Sequence, residues 1–204
     1  MAGIQLSFTN IAKFISIIGP FFLTFFMVML SIFNQDFKGL IYVFGILLLI
    51  GFNVLLMNLY KDSIPIKELP YHCNLFEMTN LTQYSYPNLS SMIISFTLIY
   101  LFLPMIFNNQ MNFIVLFSLI SMLIIDTYGK KYMNCSSYSK SFAGTGFGLI
   151  FGAIWYFIIL FVFSKKYLYF NELGSNNVVC KRPSKQTFKC SVYKNGKLIS
   201  SNIA

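Results

Sequence analysis

Long uncharged runs broken by short polar segments set the pattern of this chain. From Phe14 to Gln35 there is no charged residue, and Gly39 to Tyr60 forms a second such run. Each exceeds the roughly 20 apolar residues that carry a helix across a bilayer. Asp36 and Lys38 mark a tight link between them, so an antiparallel helix pair is expected. Pro20 should kink the first helix, since its ring removes a backbone donor. Met78 to Ile125 is again uncharged but too long for one span, and Asn108, Asn109, Gln110 and Asn112 divide it. A last run starts near Phe142 and is stopped by Lys165 and Lys166. The pattern predicts an all-α transmembrane bundle with spans at about 12–33, 39–60, 90–107, 112–126 and 142–164. Asp126 is read as an interfacial residue ending the fourth span, followed by a polar basic loop over 127–141. No charge is then expected inside a span.

The chain therefore divides into a helical domain, 1–170, and a soluble tail, 171–204. Within the tail, apolar and polar residues alternate around Asn195-Gly196, the preferred two-residue hairpin turn. A small β-hairpin is expected there. Tyr60, Tyr71, Tyr86, Tyr128, Tyr132, Tyr138, Tyr167 and Tyr169 crowd the span ends, as an interfacial aromatic belt would.

Composition agrees with this reading. The 204 residues are 56% hydrophobic and only 10% charged, against about 25% charged in soluble domains. That is too little charge to cover a water-facing globule. The net charge is +9. Five spans place Lys13, Lys61, Lys67, Lys130, Lys131 and Lys140 on one face. Lys38, Lys165, Lys166, Lys181, Arg182, Lys185, Lys189, Lys194 and Lys197 fall on the other. The larger share favours a cytoplasmic tail. A basic tail suits anionic lipid or an acidic protein partner, and nothing points to specific nucleic-acid binding.

Candidate chemistry is sparse. Cys73 and Cys135 share the loop face and are a candidate disulfide if that face is oxidising; free thiols are the alternative. Asn80, Asn88 and Asn134 begin glycosylation sequons on the same face. His72 beside Cys73 lacks the second ligand pair a metal needs, so no metal and no cofactor is expected. Gly144, Gly148 and Gly152 recur every four residues and clear one helix face for close packing. Lys61, Lys67, Lys130, Lys131 and Lys140, with Ser90, are candidates to hold a lipid phosphate; ordinary interfacial snorkelling is the alternative for the lysines. With no charge inside a span, a transporter or channel ranks last.

From about Lys61 to Trp155 the layout resembles the type 2 phosphatidic acid phosphatase (PAP2) superfamily. Lys61, Lys67 and Pro70 stand where its Lys/Arg-Pro motif would be, and Pro87-Asn88-Leu89-Ser90 where its Pro-Ser-Gly-His motif would be. The segment from Tyr138 to Gly152 stands where its last motif leads into a glycine-spaced helix. The resemblance implies Lys140 at the nucleophilic histidine, Gly144 at its orienting aspartate and Ser90 at the acid. That chemistry needs two histidines, and the chain has one, His72, at neither position. An inactive relative is therefore expected, serving a structural or scaffold role; a lipid phosphatase or phosphotransferase of altered mechanism is the alternative. The Asn- and Ile-rich composition and the tail also resemble multi-pass membrane proteins of nucleocytoplasmic large DNA viruses. That resemblance implies a virion inner membrane or virus factory, with membrane lipid and a virion or other membrane-associated protein as partners.

Overall fold

The computed structural model describes residues 8–60, 73, 86–163, 165–169, 189–194 and 197–203. Five helices follow in order: α1 (Phe8–Phe33), α2 (Lys38–Leu59), α3 (Leu89–Phe107), α4 (Phe113–Tyr132) and α5 (Tyr138–Ile158). A π-helical turn, Ile159–Phe163, extends α5. All five are long and apolar enough to cross a membrane. The chain thus fits an integral multi-pass membrane protein.

The helix ends follow from local chemistry. Gln35, Asn109 and Asn134 adopt positive φ just past α1, α3 and α4. This left-handed turn ends a helix while satisfying its last carbonyls, and asparagine tolerates it best after glycine. Asn112 caps α4 by accepting from the Val115 backbone N–H at 3.2 Å. Pro20 leaves α1 unbroken, and Thr24 donates to the Pro20 carbonyl at 2.9 Å. The α1–α2 corner is held by Ser31, whose hydroxyl meets the Asp36 carbonyl at 2.6 Å and accepts from Gly39 N–H at 2.8 Å.

Helix α3 is the most buried of the five. It packs most extensively on α5, while α1 packs on α4 and α2. Gly144, Gly148 and Gly152 form the α3–α5 contact. A Cβ on Gly144 would lie 2.5 Å from the Asn88 carbonyl oxygen. One on Gly148 would strike Ser95 and the Met92 carbonyl, and one on Gly152 would strike Ile99 and the Phe96 carbonyl. In lipid there is no hydrophobic drive between helices, so close backbone approach and buried hydrogen bonds hold them together. Tyr42, Leu49, Met92, Phe96, Tyr100, Met105 and Ile159 fill the interior. Phe21, Phe25, Leu47, Leu55, Phe113, Phe117, Ile150 and Phe161 face outward, an apolar surface that suits acyl chains.

Three expectations are corrected. Helix α4 runs on to Tyr132, and α5 starts at Tyr138, so the loop over 127–141 shrinks to 133–137. Lys130 and Lys131 sit in the last turn of α4, where they favour the negative end of the helix dipole. Tyr169 leaves the interfacial belt. It folds back against the bundle, stacks edge-on to Tyr100 at 6.2 Å and donates to the Met27 carbonyl at 2.8 Å. Asp126, taken as interfacial, is fully buried within α4.

In the tail, β1 (Lys189–Lys194) pairs antiparallel with β2 (Lys197–Ile203), with an irregularity between Val192 and Tyr193. The Asn195-Gly196 turn lies outside the described residues.

Candidate functional site: a buried carboxyl at the loop-face end

Asp126 lies six residues before the end of α4, about 9 Å into the span at 1.5 Å per residue. An isolated carboxyl there would be costly, so its partners explain its presence. Ser90, in the first turn of α3, places its hydroxyl 2.8 Å from both carboxyl oxygens. Ser91 donates to Oδ2 at 2.9 Å. Ser16 of α1 reaches Oδ1 and the Asp126 carbonyl, each at 3.2 Å. Each carboxyl oxygen thus meets two hydroxyl contacts, made by three hydroxyls that carry one proton each, so at most three hydrogen bonds reach the group at once.

Asn88 extends the cluster. Its amide nitrogen donates to Ser91 at 3.1 Å and to Ser141 of α5 at 3.2 Å. Its Oδ1 accepts from the Lys130 ammonium at 2.6 Å and lies 3.2 Å from the Ser90 hydroxyl. Lys130 is four residues beyond Asp126, one helical turn away on the same face. Asn88 and Ser90 therefore bridge a basic and an acidic group of one helix. The Asn88 backbone also donates to the Lys140 carbonyl at 3.3 Å. From α2, Asn53 donates to the Pro87 carbonyl at 3.1 Å and to the Met92 sulfur at 3.0 Å. All five helices are tied at this end. The side chains of Asp126, Ser16, Ser91, Ser141, Asn88, Asn53 and Ser90 are all buried.

Around this buried cluster lies an amphipathic rim. Lys13 sits over the Tyr132 ring at 5.3 Å, and Lys131 over the Tyr138 ring at 5.8 Å. Cys73 is joined by a disulfide to Cys135, in the turn after α4. Cys135 N–H in turn donates to the Lys130 carbonyl at 2.9 Å.

Of the sequence candidates, Ser90 and Lys130 meet in the cluster, through Asn88. Ser90 is turned into the bundle, where Asp126 engages it. Lys131 lies on the rim. Lys140 contributes its backbone carbonyl. Lys61, Lys67, His72 and Asn80 lie outside the described residues. Asn88, though it begins a sequon, is buried and fully engaged. Asn134 is exposed. Asp126, Ser16 and Ser141 were missed as site residues. The available signal was an acid one helical turn before a lysine, matched by the Ser90-Ser91 pair opening another span. Among the described residues no group of three His, Cys, Asp or Glu side chains is placed to hold a metal. No family model, curated protein or solved structure matches the chain.

Proposed function

We propose that the chain is a non-catalytic, structural component of a membrane, fastened at one end by the Asp126 cluster and bearing a basic tail for an acidic surface at the other. The burial of the Asp126 carboxyl beneath three serine hydroxyls carries this reading. A general base or a metal ligand must present a lone pair that a substrate proton or an ion can reach. Here Ser16 of α1 and Ser90 and Ser91 of α3 cover the group from within the bundle. The cluster is built as an intramolecular joint.

The phosphatase layout supports an inactive relative as the form of this reading. The Asn88–Ser91 and 126–141 segments stand together, as that layout requires. At the position of the orienting aspartate, Gly144 abuts the Asn88 carbonyl and leaves no room for a carboxylate. The composition and tail sequence support a viral or other internal membrane as the location.

We also propose an orientation. A disulfide persists on the oxidising side of a membrane. The Cys73–Cys135 end then faces that side, and the tail, with its larger share of Lys and Arg, faces the cytoplasm.

The test is turnover. Purified in detergent and offered phosphatidic acid, the full-length chain should release no phosphate above a heat-denatured control. Release that disappears in Lys140→Ala would establish the enzymatic alternative instead.

A further inference from the structure

We infer that the rim formed by Lys13, Lys131, Tyr128, Tyr132 and Tyr138 is a docking surface for an anionic phospholipid headgroup. This deepens the membrane reading and rests on it. The rim stands on three elements. Lys13 belongs to α1, Tyr128, Lys131 and Tyr132 to the last turns of α4, and Tyr138 to the start of α5. Tyr128, Tyr132 and Tyr138 are each about half exposed, at 46%, 53% and 47%. Tyr128 and Tyr132 stack at 6.3 Å. Exposed tyrosines at a span end lie at headgroup depth, with the ring in the boundary and the hydroxyl toward water.

The charge pattern selects among headgroups. Lys13 covers one face of Tyr132, and Lys131 covers one face of Tyr138. A choline headgroup is recognised by open aromatic faces that attract its quaternary ammonium. Here those faces already hold cations of the protein, and both ammonium groups would repel choline. Each lysine keeps donors to spare, because an ammonium over a ring still points N–H groups outward. A phosphate diester with net negative charge fits this arrangement, since it gains two positive partners. Among the described residues near this end the one acid is Asp126, which is buried and engaged by serines and so does not cancel the rim. The nearby Lys130 is committed to Asn88. The rim is therefore a positive, tyrosine-bordered edge at the height of lipid phosphates. Of the sequence candidates it keeps Lys131 alone: Ser90 and Lys130 belong to the Asn88 cluster, Lys140 is not part of the rim, Lys61 and Lys67 lie outside the described residues, and Lys13 is gained.

The experiment uses full-length protein in nanodiscs of phosphatidylcholine mixed with phosphatidylglycerol. Lipid retained after gentle detergent extraction is read by native mass spectrometry. The protein should keep phosphatidylglycerol in preference to phosphatidylcholine. Each lysine near an anionic surface is worth about fivefold in affinity, so Lys13→Gln with Lys131→Gln should weaken retention by about 25-fold. Lys165→Gln with Lys166→Gln, at the opposite end, should leave it within about twofold, and serves as the matched loss of charge. A thermal melt confirms that both double variants remain folded; a rim double variant that unfolds is replaced by Lys13→Arg with Lys131→Arg, which should retain the lipid as the native chain does. Excess inorganic phosphate should fail to displace the lipid, because the bilayer supplies the rest of the contact. Equal retention of the two lipids, equal loss in both double variants, or displacement by inorganic phosphate would each overturn the inference. Failure to insert into nanodiscs at all would instead remove the membrane reading beneath it.

Discussion

Asp126 concentrates the account at the scale of single residues. Asp126→Ala would leave the Ser91 hydroxyl without its acceptor, and Ser16 and Ser90 with only their bonds to the residue 126 carbonyl and to Asn88 Oδ1. Buried unsatisfied groups cost about 1–3 kcal/mol each, and interhelical hydrogen bonds in membranes sit at the low end, so a loss of about 2–4 kcal/mol is expected. Asp126→Asn should cost only about 1 kcal/mol, because serine hydroxyls can turn to accept from the new amide. Thermal unfolding in detergent measures both. The glycines of α5 give a paired control. Gly148→Ala pushes a methyl into Ser95 and the Met92 carbonyl, whereas Gly146 faces open space. The first should destabilise by about 1–3 kcal/mol. The second should be neutral or gain up to about 1 kcal/mol from helix propensity. Equal effects at both positions would mean that α3 and α5 do not meet along this ladder.

Elements were legible in the sequence wherever charge marks the edge of an apolar run. Helix α2 begins and ends close to where its run does, and α1 ends just before Asp36, whereas α3 ends at the polar group over 108–112 rather than at a charge. Helix α4 was not legible, because an acid inside a span looks the same in sequence as an acid beside one. Only the serines of α1 and α3, brought across the bundle, make Asp126 an interior residue. The candidate site was half legible for the same reason. Ser90 and Lys130 were visible as individual polar residues, while their link through Asn88 depends on tertiary geometry. The segment after α5 was misread as interfacial, although Leu168 and Tyr169 are buried. Burial foremost, and then the nearby Asp36, push the Tyr169 phenol above its usual range. The folded state therefore holds this proton more tightly than the unfolded chain does. Its contribution is complete below about pH 10 and declines as pH rises past that value. Thermal melts from pH 9 to 12 should show this decline, and Tyr169→Phe should lessen it. At neutral pH the same variant should lose about 0.5–1.5 kcal/mol with its bond to the Met27 carbonyl.

At the scale of the whole molecule, an odd number of spans would place the start of α1 and the end of α5 on opposite faces of a membrane. It also gathers the Asp126 cluster, the lysine–tyrosine rim and the disulfide at one end. Five apolar helices, tied at that end by hydrogen bonds and along α3 by glycines, fit a lipid surrounding, toward which their outward phenylalanines and leucines would point. The central claim is this five-fold crossing, and sided labelling tests it most directly. In sealed membrane vesicles, a membrane-impermeant maleimide is applied to single cysteines placed at residue 5 and at residue 200, with the native cysteines replaced by serine. The account predicts that each site is labelled from one side only, and that the two sides differ. Labelling of both sites from the same side, or of either site from both sides, would contradict it.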